Sequence, residues 1–181
     1  MSTSRGSVYA FGELDSVGDA AAVEVVAIVL HPSGDGYWIL EASGNIHSFG
    51  DALDFGRLSQ ADFGAGERAA TMAATPSGNG YWLITNLGRV FGFGDAVHHG
   101  DLAAFTLAGD VIAVAGTPAG NGYYLVGADG GIFSFGDAAF AGSIPQVLPG
   151  VVLNAPIVGL TPDPDGVGYW LVAADGGVFG F

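Results

Sequence analysis

The chain has 181 residues, half of them apolar, with 32 glycines, no cysteine and a mean hydropathy of +0.46. Four arginines (Arg5, Arg57, Arg68, Arg89) face 18 acidic residues for a net charge of −14, which excludes a basic nucleic-acid patch and attraction to anionic lipid. The missing cysteine excludes disulfides and thiol chemistry, and no uninterrupted apolar run reaches the roughly 18 residues of a membrane-spanning helix.

At the N-terminus, Met1 to Gly6 lacks the apolar core of a secretory signal. The expectation is a protein made and kept inside, or a domain cut from a longer precursor. Val8-Tyr9-Ala10-Phe11-Gly12 is then a first strand candidate, placed only by the repeats that follow.

From Val25 to Arg57 the chain reads as four short strands. Val25–Leu30 is rich in β-branched residues, and His31-Pro32-Ser33-Gly34-Asp35-Gly36 is turn chemistry. Tyr37–Leu40 is a second strand, Ala42–Asn45 a turn, Ile46–Phe49 a third strand, Gly50–Ala52 a turn and Leu53–Arg57 a fourth. The pattern returns over 69–100, 111–143 and 155–181. The expected first strands are Ala69–Thr75, Val111–Thr117 and Ala155–Thr161; the second are Tyr81–Ile84, Tyr123–Val126 and Tyr169–Val172. The third are Val90–Phe93, Ile132–Phe135 and Val178–Phe181, and fourth strands fall near Ala96–Gly100 and Ala139–Ser143. The Gly-Tyr-Trp tyrosines Tyr37, Tyr81, Tyr123 and Tyr169 stand 44, 42 and 46 residues apart. Self-similarity at this period marks a repeat architecture, and radial repetition of four-stranded antiparallel sheets is a β-propeller. Small residues at Val29, Ala73, Ala115 and Gly159 mark the first strands as innermost. Gly and Pro interrupt every possible helix.

The expected architecture is therefore all-β: a single four-bladed propeller over 1–181, with four short antiparallel strands per blade. The last repeat stops at its third strand. Val8–Phe11 looks like a third strand by composition, but Phe11 to Phe49 spans only 38 residues. Read as a fourth strand, Gly12 matches Gly56, Gly100 and Gly142, each 18 or 20 residues before the next first-strand proline. Val8, Tyr9 and Phe11 are thus expected to close the ring against Val178 and Phe179, in one chain or by exchange between chains, giving a monomer or a strand-exchanged oligomer.

The aromatic pairs Tyr37/Trp38, Tyr81/Trp82, Tyr123/Tyr124 and Tyr169/Trp170, with Phe49, Phe93, Phe135 and Phe181, are expected to pack blade on blade; sugar stacking is the rival role. Asp51, Asp95 and Asp137 follow Phe-Gly steps and are expected to serve the turns. Asp163–Gly168 is expected to be a plain turn despite a faint calcium-loop look. His47 stands where other repeats have Phe91, Phe133 and Phe179, and His98-His99 match no zinc spacing. No nucleophile elbow, phosphate loop or Ser/His/Asp pattern occurs, so neither catalytic nor metal residues are expected. No cofactor is expected either, apart from an ion held by first-strand carbonyls along a four-blade axis.

The segments GYYLVGADGGIFSFGDAAFAGS at 122–143 and GYWLVAADGGVFGF at 168–181 resemble a repeat found in tandem in extracellular and cell-envelope proteins of actinobacteria, often beside a catalytic domain. The resemblance covers nearly the whole chain. It implies a propeller with a non-catalytic binding, adhesion or display role at the cell surface, and no catalytic residues. The four-blade count also looks like hemopexin-type domains, in architecture only. The expected partner is a protein or glycan surface. A lectin-like carbohydrate-binding domain and a virion or assembly component, the latter needing no export, are the alternatives.

Overall fold

A computed structural model describes residues 5–9, 17–165 and 167–181. It is all-β. Among the described residues, twelve strands form four three-stranded antiparallel sheets, each a simple meander: β1 (Val25–Leu30), β2 (Gly36–Glu41) and β3 (Ile46–Gly50); β4 (Ala69–Ala74), β5 (Gly80–Thr85) and β6 (Val90–Gly94); β7 (Val111–Gly116), β8 (Gly122–Gly127) and β9 (Ile132–Gly136); β10 (Ile157–Pro162), β11 (Tyr169–Ala173) and β12 (Val178–Gly180). The pattern of expected first, second and third strands holds in all four repeats, with ends shifted by a residue or two. No helix among the described residues is long and apolar enough to cross a membrane.

The middle strand of each meander is paired on both sides, so it is the most apolar and the most buried. Every residue of β2, β5 and β8 is buried. The register sets Trp38 opposite Val29 and Ser48, and Tyr37 opposite Leu30 and Phe49. Each first strand slips register at its second residue, between Val25/Ala27, Ala69/Thr71, Val111/Ala113 and Ile157/Gly159. These are β-bulges, which bend a strand and sharpen its twist.

The chain forms two compact units, Met1–Thr85 with Phe91–Ala96 and Asn86–Val90 with Val97–Phe181. In the first, β1 lies against β4 and the Ala69 amide donates to the Ala42 carbonyl at 3.0 Å. The core there joins Trp38, Leu40 and Ile46 to Ala69, Met72, Tyr81 and Leu83. In the second, β7 lies against β10, the Ile157 amide donates to the Ala128 carbonyl at 2.9 Å, and Tyr124, Val126 and Ile132 pack on Ile157, Tyr169 and Leu171. First strands thus adjoin first strands within each unit, where small side chains permit close approach.

Three expectations are corrected. The stretches Leu53–Arg57, Ala96–Gly100 and Ala139–Ser143 are not strands, and each sheet has three rather than four. Their backbone groups bond to a tyrosine hydroxyl of the following sheet instead of a strand edge. A single helical turn, α1 (Ile144–Val147), interrupts an otherwise helix-free connector. Pro145 is tolerated there because first-turn amides have no intrahelical partner, and Ile144 is buried.

The third correction concerns the N-terminal register. Gly18 occupies the place of Gly56, Gly100 and Gly142 that was expected of Gly12, a residue outside the described ones. All four have φ between +127° and +155°, and a Cβ on any of them would lie 2.4–2.9 Å from the ring of Phe49, Phe93, Phe135 or Phe181 respectively. Gly6 correspondingly matches Gly88 and Gly130. The Ala20 amide donates to the Gly6 carbonyl at 3.1 Å, as Leu102 does to Gly88 at 3.0 Å and Ile144 to Gly130 at 3.2 Å. Val8 therefore stands in third-strand register, like Ile46. It packs beside Ala20, Ala22, Tyr37 and Ile39, and its amide donates to the Asp19 carboxylate at 2.7 Å. Tyr9 is exposed. Phe11, expected in the ring-closing strand, lies outside the described residues.

Candidate functional site

Neighbours in a strand point to opposite faces, so each Gly-Tyr-Trp step sends Tyr one way and Trp (or Tyr124) the other. The tyrosines all do the same thing. Each packs on the phenylalanine of its own third strand, with ring centroids 5.3 Å apart for Tyr37–Phe49, 5.7 Å for Tyr81–Phe93 and Tyr123–Phe135, and 5.8 Å for Tyr169–Phe181. Each hydroxyl then donates to the carbonyl of the connector glycine: Tyr81 to Gly56 at 2.5 Å, Tyr123 to Gly100 at 2.6 Å, Tyr37 to Gly18 and Tyr169 to Gly142. The same oxygens accept amides of Phe55 and His99, each at 3.1 Å, and of Gly142 at 3.0 Å. Burial pushes the phenols of Tyr123, Tyr124 and Tyr169 up from their ordinary value, and that of Tyr81 to about 12. The hydroxyls of Tyr81, Tyr123 and Tyr169 therefore stay protonated and keep donating.

The opposite face holds Trp38, Trp82 and Tyr124, all buried. Trp38 meets Tyr81 edge-on at 5.6 Å and donates its indole N–H to the Leu53 carbonyl at 2.8 Å. Tyr124 meets Tyr169 at 5.3 Å. Trp170 departs from the pattern at 56% exposed. Of the remaining expected residues, Phe179 packs into the second unit's core and Val178 is exposed.

The acidic steps serve turns, by a route the sequence did not show. The Asp95 carboxylate accepts the hydroxyls of Thr75 at 2.8 Å and Ser77 at 2.6 Å, Asp137 accepts Thr117 at 2.7 Å, and Asp51 accepts Ser33 at 3.1 Å. Their amides donate back to the turn carbonyls of Asn79, Asn121 and Asp35. In the Asp163 loop the Val167 amide donates to the Asp165 carboxylate at 2.9 Å, a local turn contact.

One sheet breaks the repeat with a polar cluster. On β2, β3 and their turn, the Glu41 carboxylate lies 2.8 Å from His47 Nε2 through Oε1 and accepts the Ser43 hydroxyl at 2.9 Å on Oε2. Asn45 Nδ2 stands 3.2 Å from the same His47 nitrogen, and Arg57 donates to Asn45 Oδ1 at 2.8 Å. Burial opposes ionisation of Glu41, but the hydrogen bonds from His47, Ser43 and the Val23 amide outweigh it and hold its carboxyl below the usual range. Chemically the order matters. A nucleophilic serine must pass its proton to the imidazole, whereas here the carboxylate stands between hydroxyl and ring. The signal was present in the sequence: polar Glu41, Ser43, Asn45 and His47 recur at every second position across the β2–β3 hairpin, where the second repeat has Thr85, Leu87, Arg89 and Phe91.

In the second unit two open grooves flank the turns between second and third strands. One, of about 480 Å³, is lined by Leu87, Arg89, Phe105, Leu107 and Asp110. The other, of about 330 Å³, is lined by Asp129, Val151, Val152, Leu153 and Pro156. Phe105, Val151 and Val152 are exposed. Among the described residues no group of three or more His, Asp or Glu side chains is placed to hold a metal ion.

No family model matches the chain, and no curated protein matches it.

Proposed function

We propose that the chain is a propeller-type repeat module, its four sheets serving as blades, that binds a protein partner through its connectors and carries out no reaction of its own. Supporting this is how the repeat uses its polar groups. The Tyr hydroxyls hold connector backbone, the Asp carboxylates hold turns, and the Glu41–His47 pair satisfies itself. What the second unit turns outward at its connectors is apolar: Phe105, Val151 and Val152 beside the two grooves. With a net charge of −14, the complementary partner is a protein segment with apolar anchors and basic flanks. The likeness to the actinobacterial tandem repeat, with its binding and display role, points the same way.

Selection of a displayed random-peptide library on the full chain tests the reading. Enriched sequences should pair apolar residues with Lys or Arg, and Phe105→Asp should lose them without a change in melting temperature. Enrichment indifferent to Phe105→Asp, or binding confined to a glycan array, would replace this reading with the lectin-like one.

A further inference from the structure

The turns that join first to second strands differ in one hydroxyl. In the first sheet the Ser33 hydroxyl accepts the Asp35 amide at 3.1 Å. In the second, the Ser77 hydroxyl accepts the Asn79 amide at 3.0 Å and is itself held by the Asp95 carboxylate at 2.6 Å. The third turn has Ala119 at that place, which supplies no such brace. Its side-chain tie to the following aspartate, Asp137, comes from Thr117 at 2.7 Å.

These turns hold a labile pair of residues. Asparagine is thermolabile, because the next backbone amide can attack its side chain. Of five asparagines, Asn79 and Asn121 precede glycine, whose amide has no Cβ to shield it, and both are exposed. Asn45, Asn86 and Asn154 precede Ile46, Leu87 and Ala155 instead. Gly122 lies opposite Gly136, and in the next pair the Asp137 amide donates to the Asn121 carbonyl at 3.1 Å. Bonded and unbonded pairs alternate along an antiparallel ladder, so the Gly122 amide is not spent on β9. Charge weighs on both sites alike. A Cβ on Gly80 or Gly122 would lie 2.5 or 2.6 Å from Oδ1 of Asp95 or Asp137. The serine brace is what separates them.

We propose that Asn121 is a site of spontaneous modification, reacting ahead of the braced Asn79. The Gly122 nitrogen gives up its proton to solvent and bonds to Asn121 Cγ. The Cγ–Nδ2 bond breaks, and ammonia leaves with a proton returned from water. Water then opens the resulting succinimide at either carbonyl, giving aspartate or isoaspartate; the sum is one water consumed and one ammonia released. The turn accepts the aspartyl product, since Asp35 precedes Gly36 at the same place in the first sheet. The isoaspartyl product lengthens the main chain by a methylene beside the carbonyl that the Asp137 amide needs, and so loosens the hairpin.

The experiment holds the full folded chain in mildly alkaline buffer and maps its peptides by mass spectrometry at intervals. An isoaspartyl-specific methyltransferase counts the isoaspartyl form. Asn121 should convert several-fold faster than Asn79, with ammonia released in step. Ala119→Ser should slow Asn121 to the pace of Asn79, and Ser77→Ala should speed Asn79 several-fold. Equal rates at the two asparagines, rates indifferent to either hydroxyl change, or an intact Asn121 in the folded chain after the urea-unfolded chain has converted would overturn the proposal. Should a variant fold poorly, the order of the two sites in the wild type still decides the matter.

Discussion

The Tyr81 hydroxyl donates to the Gly56 carbonyl at 2.5 Å and accepts the Phe55 amide at 3.1 Å, so one phenol holds both a donor and an acceptor of a segment without strand partners. Tyr81→Phe keeps the ring packed on Phe93 and removes only the oxygen. Two backbone groups then lose their partner, at a cost of about 1–3 kcal/mol. Urea unfolding should show a lower midpoint with an unchanged slope; an unchanged midpoint would mean that water replaces the hydroxyl.

The same phenol predicts alkaline behaviour. Its pKa is raised by burial to about 12 in the folded chain, against about 10 when unfolded. The folded state holds the proton more tightly, so this stabilisation is complete below pH 10 and fades as pH rises through 12. Melting temperature should fall over that window, and Tyr81→Phe should shallow the fall.

Trp38 and Trp170 fill the same repeat position with opposite exposure. Trp38→Ala should cost about 3–5 kcal/mol by emptying a packed contact with Tyr81. Trp170→Ala, at an exposed position, should cost less than about 0.5 kcal/mol, as surface substitutions do. Chemical denaturation of both variants, side by side, checks the contrast.

Glu41 and His47 should behave as a unit. His47→Phe, the choice of the other repeats, leaves the buried Glu41 carboxylate short of a partner and should cost about 1–3 kcal/mol at neutral pH. Adding Glu41→Thr, as in the second repeat at Thr85, should recover most of it. Because the folded carboxyl sits below its unfolded value, its contribution is full above the ordinary carboxylate range and disappears as pH falls through the folded value. Glu41→Gln should therefore flatten the acid limb of the stability curve, which urea midpoints between pH 7 and pH 3 would reveal.

Gly100 combines a φ of +129° with a Cβ direction that ends 2.7 Å from the Phe135 ring. Gly100→Ala meets strain and a clash together and should cost about 1–3 kcal/mol. Gly66→Ala, with a φ of +73° but open space around it, should cost less. Thermal unfolding of the two variants ranks them.

Strands and turns were legible because they depend on local pattern: β-branched runs, Gly-Pro punctuation and the Gly-Tyr-Trp step. The missing fourth strands were not, because Leu53–Arg57 is as apolar as a strand and only a distant hydroxyl decides where its backbone bonds. The N-terminal register failed for a related reason. Counting back from Pro32 assumes a connector of constant length, yet Val25 follows Gly18 by seven residues while Ala69 follows Gly56 by thirteen. The true anchor is a contact between a glycine and a phenylalanine ring, invisible to spacing. The Glu41–His47 pair was half legible: His47 read as an aromatic replacement, but its partner six residues away did not register as one.

The variable length between a clasped glycine and the next bulged strand has a practical meaning. Both ends of that span are pinned, one by a tyrosine hydroxyl and one by a recurring slip in register, while six to fourteen residues run between them. Foreign peptides can therefore be grafted into the exposed stretches of these spans, past the buried Ala20, Leu58, Leu102 and Ile144, as into the loops of an antibody, with the sheets on either side left as they are.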